Sequence, residues 1–410
     1  MCYNKASKRM SKKSRYVGVG DVEVSPLAKK YVNQVLSTRR VTYGPFTDKF
    51  EREFAGHHDL RFAIFCNSGT SALQVALHAL KKKYNWKDGD EVLVPALTFV
   101  ATVNIVLQNN LVPVFVDVDP IFFEIDPDKI EKKITKKTRA IIPVHIGGLP
   151  CDMDAIMKIT NRHALRIVED SCETVLARYK GKSVGTFGDY GCFSTYAAHT
   201  LVTGVGGFIC TNDSELAVYA KSLVNHGRDG IYTSIDDDNV SNKKKLFSIV
   251  DKRFEFIDVG YSYRATEFES ALGLAQIKNL KKNIKKRREN AHYLNQGLSD
   301  LQNYLQLPRE RNNADHTYMF YPIIVKSGQV KREELVYFLE ERKIETRFLL
   351  PLLSQPVYMK MFGDLEEKFP VATSLTKNGF YVGCHPGLKK KDLDFIIVAF
   401  HEFFKKRYKK

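Results

Sequence analysis

From residue 60 onward the chain keeps one rhythm, a short apolar run followed by a longer amphipathic segment. RFAIFCNSGT leads into SALQVALHALKKKY, EVLVPALT into FVATVNIVLQNN, VPVFVDVD into PDKIEKKITKK, and AIIPVHI into DMDAIMKITNRH. Runs of this length read as buried strands, and the segments between them as helices. Alternating strand and helix means a largely parallel sheet with helices on both faces. LRIVEDS, YGCFSTY and GFICTND then follow in quicker succession. Upstream, SPLAKKYVNQVLSTRRVTYGPFTDKFEREFAGHH reads as two helices around a Tyr-Gly-Pro turn. Downstream, LKKNIKKRRENAHYLNQGLSDL reads as a long polar-faced helix leading to a smaller unit. That unit holds strand-like YMFYPIIV, helical KREELVYFLEERK and a terminal helix, DLDFIIVAFHEFFKK. The 410 residues suit two domains. We expect a disordered basic tail over 1–18, a large domain over 19–275 and a small C-terminal domain over 276–410.

Composition narrows the class. No apolar run reaches the roughly 18 residues of a membrane span. The N-terminal MCYNKASKRMSKKSRY is basic but has no apolar segment, so it reads as a tail, not a secretory signal. The seven cysteines are scattered, odd in number and mostly within apolar runs, with no C-x-x-C pair. Free buried thiols in a reducing cytoplasm are the simplest account, and no metal site is expected. The net charge of +16 could attract a polyanion. Its lysines cluster on helix faces and chain ends, and no nucleic-acid motif accompanies them, so no nucleic-acid partner is expected.

In open α/β sheets, ligands bind beyond the carboxyl ends of the strands. Four stretches sit there. Asn67-Ser68-Gly69-Thr70-Ser71 follows a strand and opens a helix. Its N–H groups and hydroxyls make either a phosphate cradle or a plain N-cap. Val168-Glu169-Asp170-Ser171-Cys172-Glu173 ends a buried run with two acids, suited to a cation, a metal, a protonated ring nitrogen or a helix cap. Phe99, in PALTFVAT, either covers an aromatic ligand or belongs to the core. Ser194 ends a strand, His199 follows five residues later, and Gly204-Val205-Gly206-Gly207 lends backbone freedom. A solitary histidine is more often structural than functional.

Taken in order, these stretches resemble the pyridoxal-phosphate enzymes of the aspartate-aminotransferase (type I) fold. More narrowly, the chain resembles the DegT/StrS-type nucleotide-sugar aminotransferases from about residue 20 onward. TYGPFTDKFEREFA, NSGTSAL, EVLVPALTFVATVNIVL, VPVFVDVD, IVEDS, TGVGGFICTND, NHG and GYSYRATEFESALGLAQIKNL carry the likeness. The resemblance implies an α/β large domain with a mostly parallel central sheet, a smaller α+β domain and a homodimer. It implies pyridoxal 5′-phosphate or pyridoxamine 5′-phosphate as cofactor. Gly69, Thr70 and Ser194 match the phosphate ligands, Phe99 the aromatic stacked on the ring, and Asp170 the acid paired with the pyridinium nitrogen. Arg347 lies in a substrate-contacting loop. His226 and Arg228 belong to the stretch NHGRDG, which also faces substrate.

The departures are specific. Residue 199 is lysine in the aminotransferases, where it forms a Schiff base; here it is histidine. Glu173 stands where the family has a glutamine, and Ser262 where the partner subunit lends an asparagine to the phosphate. Histidine at 199 resembles the branch of sugar 3-dehydratases, with the GDP-4-keto-6-deoxy-D-mannose type the nearer. Iron–sulfur cysteines of the CDP-sugar type are missing. An imidazole, with an ordinary pKa of about 6.5, can act as base near pH 7 but cannot hold the cofactor covalently. The resemblance therefore implies a cytoplasmic 3-dehydratase of a 4-keto-6-deoxy nucleotide sugar that takes its amino group from glutamate. An aminotransferase that tolerates His199 is the alternative, and a non-catalytic binding protein of the same fold a second.

Overall fold

The computed structural model describes residues 16–229, 241–326 and 330–407. Most of the expected tail, and Gly230 of the NHGRDG stretch, lie outside the described residues.

Seven strands form the main sheet: β1 (Phe62–Cys66), β2 (Glu91–Pro95), β3 (Val112–Val116), β4 (Thr138–Ile141), β5 (Arg166–Asp170), β6 (Tyr190–Ser194) and β7 (Gly207–Thr211). Their order across the sheet is β1-β7-β6-β5-β4-β2-β3. From β6 through β5, β4 and β2 to β3 every neighbouring pair is parallel. Only β7 runs the other way, antiparallel to both β1 and β6. The largely parallel sheet read from the sequence is thus present, with one reversal where the strand-like stretches crowd together.

Helices α1 (Pro26–Thr38) and α2 (Pro45–His57) precede the sheet, each with proline in its first turn, where the missing N–H costs nothing. Phe54 of α2 stacks on Phe208 at 3.9 Å, and Phe50 meets Phe65 and Phe208 edge-on, which fixes α2 against β1 and β7. Helix α3 (Gly69–Lys83) starts directly after β1. Ser68 caps it, accepting from the Ser71 N–H at 3.0 Å, and three lysines complement the dipole in its last turn. Leu73, Leu77 and Leu80 of α3 are buried in the core cluster of the sheet. Truncating one of them to alanine is expected to cost about 2–5 kcal/mol. The helix that starts α4 (Val100–Gln108) likewise follows its strand, β2, at once. Each helix start therefore falls at the carboxyl edge of the sheet.

The chain then passes through the long helix Leu280–Gly297 to a four-stranded antiparallel sheet. Its strands are β8 (Leu305–Gln306), β9 (Tyr321–Val325), β10 (Thr346–Phe348) and β11 (Gly379–Val382), in the order β8-β9-β11-β10. It has its own apolar core, including Leu335, Leu339, Ile396 and Phe400. The sequence reading runs the tail through residue 18. Val17, inside that range, is buried and bridges Ile344, and the Glu345 N–H donates to its carbonyl at 2.9 Å. The last residues of the supposed tail are ordered because the edge beside β10 offers them backbone partners. No helix among the described residues is long and apolar enough to cross a membrane.

Candidate active site

The N-terminus of α3 lies against the ends of β6 and β7. A Cβ on Gly69 would come within 2.7 Å of the Ser194 Cβ and 2.8 Å of the Cys172 sulfur. A Cβ on Gly207 would stand 2.5 Å from the Gly69 nitrogen. Two glycines are needed because two backbones meet here. Gly69 is buried, while Thr70 is exposed at the first turn of a 15-residue helix. First-turn N–H groups and the helix dipole make this end suited to a phosphate.

Strand β5 ends in two acids that point to opposite faces, as neighbours on a strand must. Glu169 turns to structural work. It accepts the N–H groups of Gly185, Phe187 and Gly188 at 2.6–2.8 Å, and the His145 ring lies 3.2 Å away. Asp170 turns to the site. It accepts from the Thr102 hydroxyl at 2.8 Å and the Cys172 N–H at 3.2 Å, and Thr102 in turn meets Thr98 at 2.9 Å. Burial holds the Asp170 carboxyl above its ordinary range, opposed by those two donors. A cation beside it would offset the desolvation that raises it.

The return from β6 to β7 carries His199. It is pinned on both sides: Thr195 and Thr203 hydroxyls meet at 2.6 Å, and the Val202 N–H donates to Gln276 Oε1 at 3.0 Å. Nδ1 of His199 is shielded and has no hydrogen-bond partner among the described residues. Burial pushes the imidazole down to about 4; the Cys172 backbone opposes the shift and the charge of Arg287 adds to it. The ring is therefore neutral throughout the neutral pH range. Ser194, buried at the end of β6, accepts from the Tyr196 N–H at 3.3 Å.

Glu173 accepts the Gly147 N–H at 2.6 Å, and burial lifts its carboxyl to about 7. Its charge, after burial, helps push the Tyr381 hydroxyl up to about 12. Tyr381 lies directly across from Arg347 in the β10–β11 register and stacks on Phe320 at 4.2 Å. Arg347 is exposed and paired with Glu345. Phe99 caps the start of α4 with 58% of its surface exposed.

Three expected residues stand apart on a ridge. Asn225 bridges Ser262, and Arg264 donates to the Ser262 hydroxyl at 3.1 Å and lies 3.0 Å from the ring of His226. Arg228 lies near the rings of Phe254 and Phe256 and donates to the Arg253 carbonyl. No hydrogen bond among the described residues joins Ser262 or His226 to Asp170, Glu173 or His199. Thr102, Tyr381 and Arg264 escaped the sequence reading; only the Thr98–Thr102 spacing, one helical turn, hints at the first.

The residues fit a phosphorylated pyridine on three observations. The Gly69–Gly207 approach seats the start of a 15-residue helix against Ser194. Asp170 is a buried carboxylate with hydroxyl support and, among the described residues, no cation of its own within ion-pair distance. The shielded Nδ1 of His199 lacks a partner.

Comparison with known proteins agrees with this geometry. Residues 24–401 match the DegT/DnrJ/EryC1/StrS aminotransferase family. A GDP-perosamine synthase of Escherichia coli O157:H7 is 33% identical over 391 residues, 95% of this chain and 99% of that one. The dTDP-4-dehydro-2,6-dideoxy-D-glucose 3-dehydratase of Saccharopolyspora spinosa is 34% identical over 380 residues, 90% of this chain and 82% of that one. Among solved structures, the E. coli GDP-4-keto-6-deoxy-D-mannose-3-dehydratase with bound hydrated PLP superposes with a TM-score of 0.82 at 27% identity, covering 95% of this chain and all of that one.

Proposed function

Because the chain belongs to the DegT/DnrJ/EryC1/StrS aminotransferase family, with pyridoxal or pyridoxamine 5′-phosphate as its cofactor, we propose that it is a 3-dehydratase of a 4-keto-6-deoxy nucleotide sugar. Glutamate is the amino donor on this reading, and His199 the base. One observation carries it. Between Ser194 and Gly207 the chain has no lysine, and the residue held there, His199, is a neutral, partly shielded imidazole.

When bound, the cofactor supplies an electron sink in its ring and an amine for the keto carbon. Gly69, Thr70 and Ser194 hold its phosphate at the start of α3. Asp170 keeps the ring nitrogen protonated, and Phe99 covers one face. Glu173, with a carboxyl near 7, shares a proton with the ring hydroxyl. His199 takes the proton from C4′ and delivers it to the oxygen leaving C3 of the sugar. An imidazole cannot then displace the sugar as a primary amine would, so release falls to water. The products are a 3-deoxy-4-keto sugar, ammonia and the 2-oxoglutarate left when glutamate gives up its amino group.

The cofactor site is completed by a second copy of the chain on this reading. Support comes from the exposed ridge of Ser262 and Arg264 and from the apolar residues flanking it. Phe254 is 81% exposed and Val259 80%.

A second reading, transamination, is favoured by the likeness to a GDP-perosamine synthase. Incubation with glutamate and a panel of 4-keto-6-deoxy nucleotide sugars separates the two. A deoxy sugar with ammonia supports the proposal; an amino sugar as the sole product refutes it.

A further inference from the structure

Tyr381 lies on β11, the strand between β9 and β10, with Pro322 opposite it on one side and Arg347 on the other. Its neighbours Phe380 and Val382 are fully buried in the core of the small unit. Alternation along a strand turns Tyr381 the other way. It packs instead against the core cluster of the main sheet, which Phe320 of its own unit also joins. The small unit thus presents this phenol to the half of the molecule that carries Asp170 and Glu173.

The ring is held in one orientation. It stacks on Phe320 at 4.2 Å with 20° between the planes. The Phe320 ring in turn abuts Gly147, where an added Cβ would come within 3.0 Å of it. Gly147 is the residue whose N–H donates to Glu173. A packed path therefore joins the phenol to the carboxyl of the candidate site. After burial, Glu173 acts on the Tyr381 hydroxyl more strongly than Glu345 does, although Glu345 belongs to the small unit itself. The guanidinium of Arg347, on the facing strand, acts in the opposite sense. With a pKa of about 12 the phenol stays protonated at neutral pH, a donor set between an acid and a cation.

What this hydroxyl lacks is a partner. The fully buried Tyr190, Tyr318, Tyr321 and Tyr358 each donate to a protein acceptor at 2.6–2.9 Å. Tyr381 is half-buried and donates to none among the described residues, and unlike the orphaned polar atoms of the interior its oxygen is open to solvent. A donor that is rigid, unpaired and accessible meets a ligand with little reorganisation. Donor, acid and cation together suit a ligand with several hydroxyls and a carbonyl, as a sugar has. We propose that Tyr381 is a substrate-contacting residue, its hydroxyl donating to an oxygen of the sugar in the bound nucleotide sugar. The inference rests on the nucleotide-sugar reading above and holds for either reaction outcome.

The test is equilibrium binding to the full chain loaded with pyridoxal 5′-phosphate, without glutamate, so that nothing turns over. The probes are GDP-, dTDP- and CDP-linked 4-keto-6-deoxyhexoses, with free GDP, dTDP and CDP as sugar-free controls. Tyr381→Phe removes the hydroxyl and keeps the ring. The expected result is about tenfold weaker binding of the nucleotide sugar that the unmodified protein prefers. Affinity for the matching free nucleotide, cofactor absorbance and melting temperature should stay unchanged. Equal affinity for the nucleotide sugar in both proteins overturns the proposal and leaves the nucleotide-sugar reading standing. Equal weakening of nucleotide sugar and free nucleotide overturns it too, because the contact then lies outside the sugar. A lower melting temperature or lost cofactor absorbance in the variant marks a structural role and overturns it as well. Should the unmodified protein bind none of the probes, this proposal and the nucleotide-sugar reading fall together.

Discussion

The Asp170 pocket and the Ser262 ridge are both rich in polar groups, yet they are built to opposite plans. Around Asp170 the chain supplies its own scaffold. Thr102, Thr98 and the Cys172 N–H are in place, the carboxyl is buried, and only a cation is wanting. Along the ridge, Ser262, Arg264 and His226 bond mainly to one another at the surface, beside exposed Phe254 and Val259. A pocket organised before its ligand arrives loses little on binding. The ridge donors spend their side-chain hydrogen bonds largely on one another. On the proposed reading the first is this copy's half of the cofactor site, and the second is the half lent to the other copy.

Four substitutions sharpen or break that contrast. His199→Asn removes the base while keeping a polar side chain of similar reach. Turnover should fall about 10²–10⁴-fold with the melting temperature little changed; full turnover in a steady-state assay would remove His199 from the chemistry. Gly207→Val drives methyl groups against the Gly69 nitrogen. A loss of about 1–3 kcal/mol is expected in denaturant unfolding, together with loss of cofactor absorbance after gel filtration. Glu173→Gln tests the raised carboxyl. Its folded value of about 7 lies above the ordinary 4.5, so the native chain holds the extra proton between those limits. Stability from this group is therefore present below about 4.5 and lost as pH rises through 7. The variant should gain about 3 kcal/mol at pH 8 in the cofactor-free protein and nothing at pH 4. Ser262→Ala, on the ridge, should move stability by less than about 0.5 kcal/mol, yet weaken cofactor retention about threefold at protein concentrations that favour dimers. Equal losses in both measurements would erase the distinction between pocket and ridge.

The sheet was legible because its strands are short apolar runs separated by helix-length segments, a pattern that survives without tertiary context. The reversal of β7 was not, since a run such as GFICTND carries no sign of its direction. Position at the carboxyl edge followed from the same rhythm, which is why Gly69, Phe99, Asp170 and Ser194 could be singled out. What each acid does could not be read. Glu169 and Asp170 look alike in sequence, and only the loop at 185–188, folded back onto Glu169, separates them. Arg287 was hidden for a different reason. It sits in a lysine- and arginine-rich helix whose lysines are exposed or half-exposed, and nothing in KKRRENA marks the arginine that turns fully inward.

The reversed strand has a consequence for how this protein can change. Parallel neighbours are joined through long crossovers, but antiparallel ones tolerate a short hop. His199 rides on the return between β6 and β7, residues 195–206, which the Thr195–Thr203 and Val202–Gln276 hydrogen bonds tie down. Such a segment behaves like a socket: its occupant can be exchanged, and the reaction redirected, while the surrounding architecture is inherited intact.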